Sequence, residues 1–280
     1  MTPPDGSLVD GIPADRVGVR DRGLHYGDGL FETLAVRAGE PLNWEAHLER
    51  LEEGGRRLSL PVPPADLLLD EVRRVSGGVD RCVVKLILTR GEGGRGYRPP
   101  DEARARRIVI ASPWPDYPPE RFDRGIQVRL CRVRLGRNPA LAGLKHLGRL
   151  EQVLARAEWS DPEIHEGLML DEPGHPVEGT MSNLFLVRGD GMLTADLSAA
   201  GVAGVMRRRV LEAAAGLGIE VVVRELTMED ICRASEAFFC NSLIGLWPVR
   251  RWLLEPVLEH DDWPLTRRLR NRLLEQGWLP

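Results

Sequence analysis

Alternating and helical hydrophobic patterns divide the first part of the chain into strands and helices. Alternation of apolar and polar positions predicts strands over residues 30–36, 42–44, 82–89 and 107–111. Helical spacing predicts one helix around Ala46, Leu48, Leu51 and Leu58, with the glycine pair 54–55 as a weak point. A second helix is predicted over residues 67–75, after the prolines 63 and 64 and before the glycines 77 and 78.

The second part of the chain continues the same mixture of strands and helices. Strands are predicted over residues 126–133, 167–170, 183–187, 219–223 and 237–240. Helices are predicted over residues 146–159, 205–217, 228–233 and 265–276, and a loop rich in Gly, Asn and Pro covers 135–143. We therefore predict a mixed α/β chain.

A cluster of prolines near the middle of the chain indicates a domain boundary. Pro113, Pro115, Pro118 and Pro119 fall within seven residues, where they prevent regular structure. The sequence thus predicts a smaller N-terminal α/β domain over residues 1–112, a linker over 113–122, and a larger C-terminal domain over 123–280.

Composition and charge exclude several classes of function. The chain has 38 Lys and Arg against 42 Asp and Glu, a net charge of −4, which argues against a nucleic-acid-binding protein. No apolar run reaches the roughly 18 residues of a membrane span, and residues 1–5 do not resemble a secretory signal, so we expect a cytoplasmic protein. The histidines have no metal-ligand spacing, which predicts no metal site. The cysteines form no Cys-x-x-Cys pair and are expected to be buried: Cys82, Cys131, Cys232 and Cys240.

The use of lysine in this chain is unusual. Lys85 and Lys145 are the only lysines, and the other 36 basic residues are arginines. A lysine amine can lose its proton and form a Schiff base, whereas a guanidinium stays charged. Lys145 has Leu144 and Leu147 beside it, and such apolar neighbours lower the pKa of an amine. A solvated lysine at the start of a helix is the alternative interpretation.

Two glycine-containing segments are candidates for binding anions. Residues 90–97 contain Arg90, Arg95 and Tyr97 but match neither a dinucleotide fingerprint nor a P-loop. They form either a plain surface hairpin or a flexible loop whose arginines bind carboxylates. Residues 201–206 precede a helix and could offer backbone N–H groups to a phosphate, although a simple helix entry has the same pattern. Together with Lys145, these features indicate a cofactor with a phosphate and an aldehyde.

Five segments of the chain resemble the fold-type IV pyridoxal-phosphate enzymes. They are Asp-Arg-Gly-Leu-His-Tyr-Gly-Asp-Gly-Leu-Phe-Glu-Thr at 21–33, His-Leu-Glu-Arg at 47–50, Lys145, Glu-Gly-Thr-Met-Ser-Asn-Leu-Phe at 178–185, and 201–207. Within this family, residues 89–97 and 133–154 resemble the aminodeoxychorismate lyases. The resemblance implies pyridoxal 5'-phosphate as the cofactor, a C-terminal pseudo-barrel beside an N-terminal α/β sandwich, and a homodimer.

The resemblance also implies roles for individual residues. Lys145 would bind the cofactor aldehyde and move protons, and Glu178 would face the pyridine nitrogen. The phosphate would be held by Arg50, Val205, Met206, Asn241 and Ser242, and the substrate by Arg95, Tyr97 and Asn43. Two positions depart from the family pattern: Gly148 replaces an expected Asn, and Phe31 stands where D-amino-acid aminotransferases have Tyr.

The resemblance implies conversion of 4-amino-4-deoxychorismate to 4-aminobenzoate and pyruvate, a step of folate synthesis. Phe31 and the loop over residues 90–97 favour this lyase activity over the first alternative, an aminotransferase for branched-chain or D-amino acids. The second alternative is a protein that binds pyridoxal phosphate without turnover.

Overall fold

The computed structural model describes residues 6–280; residues 1–5, which were the basis for expecting no secretory signal, lie outside the described residues. Elements up to residue 116 are β1 (Ser7–Val9), β2 (Ile12–Pro13), α1 (Arg22–Tyr26), β3 (Gly29–Arg37), β4 (Glu40–Pro41), α2 (Trp44–Leu58), α3 (Ala65–Ser76), β5 (Arg81–Thr89) and β6 (Arg106–Pro113). Later elements are α4 (Glu120–Asp123), β7 (Ile126–Leu135), α5 (Leu150–Arg156), β8 (Ile164–Asp171), β9 (Pro176–Gly179), β10 (Asn183–Arg188), β11 (Gly191–Ala195), α6 (Val205–Gly216), β12 (Val221–Arg224), α7 (Met228–Arg233), β13 (Glu236–Asn241), β14 (Gly245–Leu253), β15 (Leu258–Glu259) and α8 (Pro264–Glu275). The chain divides into two compact units, the first ending at Asp116 but including Leu144–Gly148 and Pro280, the second covering Tyr117–Gly143 and Arg149–Leu279.

The first unit contains an antiparallel sheet in the order β2-β1-β6-β5-β3-β4. Alternate residues of β3, such as Leu30, Leu34 and Val36, point into a core that also contains side chains of α2 and α3. Both helices therefore cover the same face of the sheet, and this unit is an α/β sandwich.

The second unit contains a closed ring of strands in the order β10-β13-β14-β7-β8-β9. The ring closes because β9 pairs with both β8 and β10, the latter through Glu178 opposite Asn183. Large apolar side chains of these strands, including Phe239, Trp247 and Trp252, are fully buried in one core cluster. A second core cluster contains residues of α6 and α8. The predicted mixed α/β architecture and pseudo-barrel are confirmed.

Most predicted elements exist, but two are wrong. Residues 42–44 do not form a strand, because Asn43 has a left-handed backbone (φ 55°) and α2 begins at Trp44. The helix predicted over 146–159 is only Leu150–Arg156, because the residues before it pair with β3. The glycine pair in α2 does not interrupt the helix: a Cβ on Gly54 would lie 2.8 Å from Leu30 Cδ1, so the missing side chain permits close packing.

Three other expectations concern the domain boundaries, membrane spans and the burial of the cysteines. The domain boundaries at residues 112 and 122 stay a prediction. Within the described part of the chain, no helix has the length and hydrophobicity needed to cross a membrane. Cys82, Cys131 and Cys240 are buried as expected, but Cys232 is exposed on α7, so its prediction is wrong.

Candidate active site

Lys145 lies beside the first residues of β3 in the first unit. The N–H of Phe31 donates to the carbonyl of Lys145 (2.9 Å), and the N–H of Leu147 donates to that of Gly29 (3.0 Å). This pairing is possible because β4 covers only the other end of the same edge, at Val36 and Arg37. Residues 145–147 thus extend the sheet, which fixes the backbone that carries the Lys145 amine.

The ring of Phe31 lies close to both lysines of the chain. Lys145 Nζ is 4.3 Å from the ring centroid and Lys85 Nζ is 4.9 Å from it. Both distances are within the range of cation–π contacts. Lys145 is half-buried and Lys85 is exposed. The predicted Schiff-base lysine and the lysine assigned no role therefore share one aromatic neighbour.

A buried charge cluster lies on the helix-covered face of the same sheet. The Arg50 Nε donates to Glu32 Oε1 (2.8 Å), the Arg50 Nη2 contacts Glu32 Oε2, and the His47 Nδ1 lies 2.6 Å from the same oxygen. Burial alone would raise the pKa of Glu32, but the charge of Arg50 and the bond from His47 lower it to about 2. Burial lowers the pKa of His47, although the hydrogen bond to Glu32 and the Glu32 charge act in the opposite direction; the charges of Arg50 and Lys145 lower the pKa further. Glu32 is thus a carboxylate and His47 is neutral near pH 7.

Glu32 is absent from the predicted site residues, although the sequence contains a signal for it. Glu32 occupies the inward position between Leu30 and Leu34, where an unpaired carboxylate would be costly. A charged residue in an apolar series indicates a charged partner, and HLER at 47–50 supplies two.

The loop over residues 90–97 was predicted to expose the side chains of Arg90, Arg95 and Tyr97, and two of the three are exposed. Arg95 is exposed, and Tyr97 is 85% exposed. Arg90 is buried, because its guanidinium binds Asp28 and the carbonyls of Leu58 and Ser59. The expectation that Arg90 could bind an external carboxylate is therefore wrong. Asn43, the third predicted substrate residue, immediately precedes α2.

Glu178 lies in the second unit, on β9, and is buried. Its Oε2 accepts a hydrogen bond from the N–H of Val202 (2.8 Å), and the Asn183 Nδ2 is 3.5 Å from the same oxygen. Asn183 also donates to the carbonyl of Val202 (2.8 Å), so both side chains hold the segment before α6. Burial lowers the pKa of Arg149, and the nearby Glu178 carboxylate acts in the opposite direction. Glu178 therefore has a positive neighbour and a backbone donor.

Val205 and Met206 are the first residues of α6, and the cap residue Gly204 has no side chain to bond their N–H groups. A Cβ on Gly204 would lie 2.1 Å from Asn183 Oδ1, so glycine is required for this approach. Asn241 ends β13, where its Oδ1 accepts from the N–H groups of Leu243 and Ile244. Its amide therefore shapes the turn that contains Ser242.

Each unit by itself contains groups whose chemistry suits pyridoxal phosphate. In the first unit, the half-buried Lys145 amine can bind an aldehyde. In the second unit, the buried Glu178 carboxylate can pair with a protonated ring nitrogen, and the start of the twelve-residue helix α6 suits a phosphate. Asp171, His175 and Glu225 lie close enough together to hold a metal ion. Their two carboxylates already have Arg137 as a cation, with its Nη2 2.7 Å from Glu225 Oε1.

Comparison with known proteins identifies the family. Residues 29–252 match the family described as amino-transferase class IV. The chain belongs to the amino-transferase class IV family. An aminodeoxychorismate lyase from Vibrio harveyi is 37% identical over 268 residues, which cover 95% of this chain and 98% of that protein.

Solved structures of two enzymes are similar to this chain over nearly its whole length. The 4-amino-4-deoxychorismate lyase from Pseudomonas aeruginosa has a TM-score of 0.92 and 50% identity, over 98% of this chain and all of that chain (100%). The T.th. branched-chain amino acid aminotransferase, solved with pyridoxamine 5'-phosphate, has a TM-score of 0.84 and 25% identity, over 98% of this chain and 95% of that chain. The fold is that of the fold-type IV pyridoxal-phosphate enzymes.

Proposed function

We propose that this protein is an aminodeoxychorismate lyase, which converts 4-amino-4-deoxychorismate to 4-aminobenzoate and pyruvate for folate synthesis. The observation that carries the proposal is full-length similarity to two lyases, at 37% and 50% identity. The aminotransferase with pyridoxamine phosphate matches over the same length at 25% identity. The aminotransferase alternative is therefore less supported.

The cofactor of this reaction is pyridoxal 5'-phosphate. When bound, it supplies an aldehyde that joins an amine and a ring that withdraws electrons from the neighbouring carbon. The family motifs assign its aldehyde to Lys145 and its ring nitrogen to Glu178. They assign its phosphate to the following residues: Arg50, Val205, Met206, Asn241 and Ser242.

Each of these residues has a physical reason for its role. The Lys145 amine, over an aromatic ring and half-buried, can hold and release a proton at Nζ. Glu178 is kept in place by Val202 and is near Arg149, both of which favour its carboxylate form. A carboxylate at this position holds a proton on a ring nitrogen, which a neutral amide cannot do. Arg50 is held in one orientation by Glu32.

The substrate carries two carboxylates, one on its ring and one on its enolpyruvyl group. Arg95 offers a planar cation, and Tyr97 and Asn43 offer neutral donors. We assign substrate binding to these three residues. Lys145 then removes the proton at the amine-bearing ring carbon. The bond between the ring and the ether oxygen breaks as the ring becomes aromatic, and the departing enolpyruvate takes up a proton to become pyruvate. Aromatisation makes the reaction strongly favourable. No keto acid is needed, because the amine stays on the product.

The family resemblance further supports a homodimer. We also propose a cytoplasmic enzyme and, from the proline cluster, a smaller domain over residues 1–112, a linker over 113–122 and a larger domain over 123–280. Size-exclusion chromatography with light scattering tests the dimer.

The decisive experiment compares products. Purified protein loaded with pyridoxal phosphate is mixed with aminodeoxychorismate, or with a branched-chain or D-amino acid plus 2-oxoglutarate. We expect 4-aminobenzoate and pyruvate from the first mixture. Glutamate from the second mixture alone would establish the aminotransferase, and no product from either would leave a protein that binds the cofactor without turnover.

A further inference from the structure

Arg22, the first residue of α1, is a buried arginine to which the proposed function assigns no role. Its side chain is only 4% exposed. The Nε donates to Asp28 Oδ2 (2.8 Å), and the guanidinium lies 4.8 Å from the centroid of the Tyr26 ring. A buried guanidinium needs partners for all its N–H groups, because an unpaired buried charge is strongly destabilising.

The remaining N–H groups of Arg22 bind the backbone of the loop that carries Arg95 and Tyr97. Nη1 donates to the carbonyl of Gly96 (3.0 Å) and is 3.4 Å from that of Arg98. Nη2 donates to the carbonyl of Tyr97 (2.9 Å). One planar guanidinium thus contacts three successive carbonyl groups, a geometry that the point-like ammonium of lysine cannot reproduce.

The first residues of this loop, Arg90 and Gly91, are hydrogen-bonded to the backbone of Arg22 and Asp28. The N–H of Arg22 donates to the carbonyl of Gly91 (2.8 Å), and the N–H of Arg90 donates to that of Asp28 (3.1 Å). The Asp28 carboxylate accepts from the side chains of both arginines, at 2.8 Å from Arg22 and 2.9 Å from Arg90. Burial alone would raise the pKa of Asp28, but the hydrogen bonds from both arginines lower it. Asp28 therefore stays ionised and links the two ends of the loop.

Glycine in this loop permits close contact with Arg22. A Cβ on Gly93 would lie 2.8 Å from Arg22 Cδ, and one on Gly91, where φ is +78°, would lie 2.1 Å from the carbonyl oxygen of Arg104. Gly93 therefore allows the loop to pack against the Arg22 side chain, and Gly91 allows it to pack against the backbone of Arg104.

The loop combines a fixed backbone with exposed side chains. Arg95 and Tyr97 project into solvent, while the carbonyl of Tyr97 is bound by Arg22 and its ring packs edge-on against Tyr26 (5.3 Å between centroids). A fixed backbone reduces the conformational entropy that binding would otherwise cost. We propose that Arg22 is a positioning residue that holds Arg95 and Tyr97 ready for the substrate carboxylates. This inference rests on the proposed function, which assigns both side chains to substrate binding.

The test uses the holoenzyme and two independent readouts. Trypsin can cut the loop after Arg95, whereas Arg98 precedes a proline and resists cleavage. In Arg22→Gln we expect the bond between residues 95 and 96 to be cut at least about tenfold faster than in the wild type, measured by the masses of the fragments. We also expect KM for aminodeoxychorismate to rise about tenfold with kcat within about twofold, since a loss of that size corresponds to one charge-assisted contact. Pyridoxal phosphate content should not change.

Two further variants keep the test decisive if Arg22→Gln does not fold. Arg22→Lys retains a cation beside Asp28 but cannot bind three carbonyls, and Gly93→Ala pushes the loop away from an intact Arg22. Both should show faster cleavage and a raised KM. Arg98→Gln is the control for cleavage, because its exposed side chain pairs with Asp101.

The outcomes separate the two proposals. Wild-type rates of cleavage and an unchanged KM in folded Arg22 variants would overturn the positioning role. If the wild-type holoenzyme forms no 4-aminobenzoate, the proposed function fails, while the cleavage rates still report whether Arg22 holds the loop. Faster cleavage without any change in KM would also overturn the proposal, because the loop would then be held for stability alone.

Discussion

Replacing the buried Glu32 with glutamine should destabilise the protein in a way that depends on pH. Glu32 is 2% exposed and pairs with both Arg50 and His47, while glutamine has nearly the same shape without the charge. The fall in the pKa of Glu32 from 4.5 to about 2 corresponds to about 3 kcal/mol of stability. Loss of one partner from a buried ion pair has a similar cost.

The direction of the pH dependence follows from the lowered pKa of Glu32. The folded state favours the carboxylate form, so its stabilisation is complete above pH 4.5 and is lost as the pH falls towards 2. Between pH 7 and pH 3, the difference in unfolding free energy between wild type and Glu32→Gln should therefore shrink by about 2 kcal/mol.

Urea unfolding at pH 7, 5, 4 and 3, followed by circular dichroism, measures this difference. Glu53→Gln is the matched control, because Glu53 also forms a two-point pair with an arginine of α2 but on the exposed surface. It should unfold like the wild type at every pH. A destabilisation of Glu32→Gln that is the same at pH 7 and pH 3 would refute the reasoning, since the ionised carboxylate would then not be its source.

Three predictions concern the proposed site. Lys145→Arg should fold but lose the visible absorbance of the lysine-bound cofactor, because guanidinium cannot condense with an aldehyde. The control Lys85→Arg should retain that absorbance. Normal turnover in Lys145→Arg would rule out the assignment of Lys145. Glu178→Gln should bind the cofactor but turn over roughly 10²-fold more slowly in steady-state assays, and wild-type turnover would remove Glu178 from the ring nitrogen. Arg95→Ala should lower kcat/KM by about 1.5–3 kcal/mol at equal cofactor content, whereas a change within about 0.5 kcal/mol would indicate a solvated surface arginine.

Local sequence patterns predicted the elements whose buried face is set by their own residues. The strand at 30–36 and the helix at 205–217 both appear within one or two residues of their predicted bounds. Residues 146 and 147 were predicted as the start of a helix, but they pair with β3 instead. Pairing with a strand more than a hundred residues away outweighed local preference, and a single sequence does not contain that information.

In the candidate site, too, the properties that depend on residues distant in the sequence could not be predicted. Lys145 could be found from the rarity of lysine, since its chemistry depends on its own side chain. The positions of Arg22 and Arg90 could not be found, because their roles depend on which carbonyls and carboxylates the fold brings to them. Arg90 was therefore predicted to be accessible because it lies on a glycine-rich loop, whereas in the fold it is buried.

The proximity of both lysines to Phe31 has a practical consequence for spectroscopy. Isotope labelling of the lysine side-chain nitrogen alone would give two signals in an NMR spectrum, and both would report on the surroundings of one aromatic ring. The ring current of Phe31 would shift each signal according to the position of its ammonium group. Cofactor loading and ligand binding could therefore be followed with two resonances, without introducing any foreign probe.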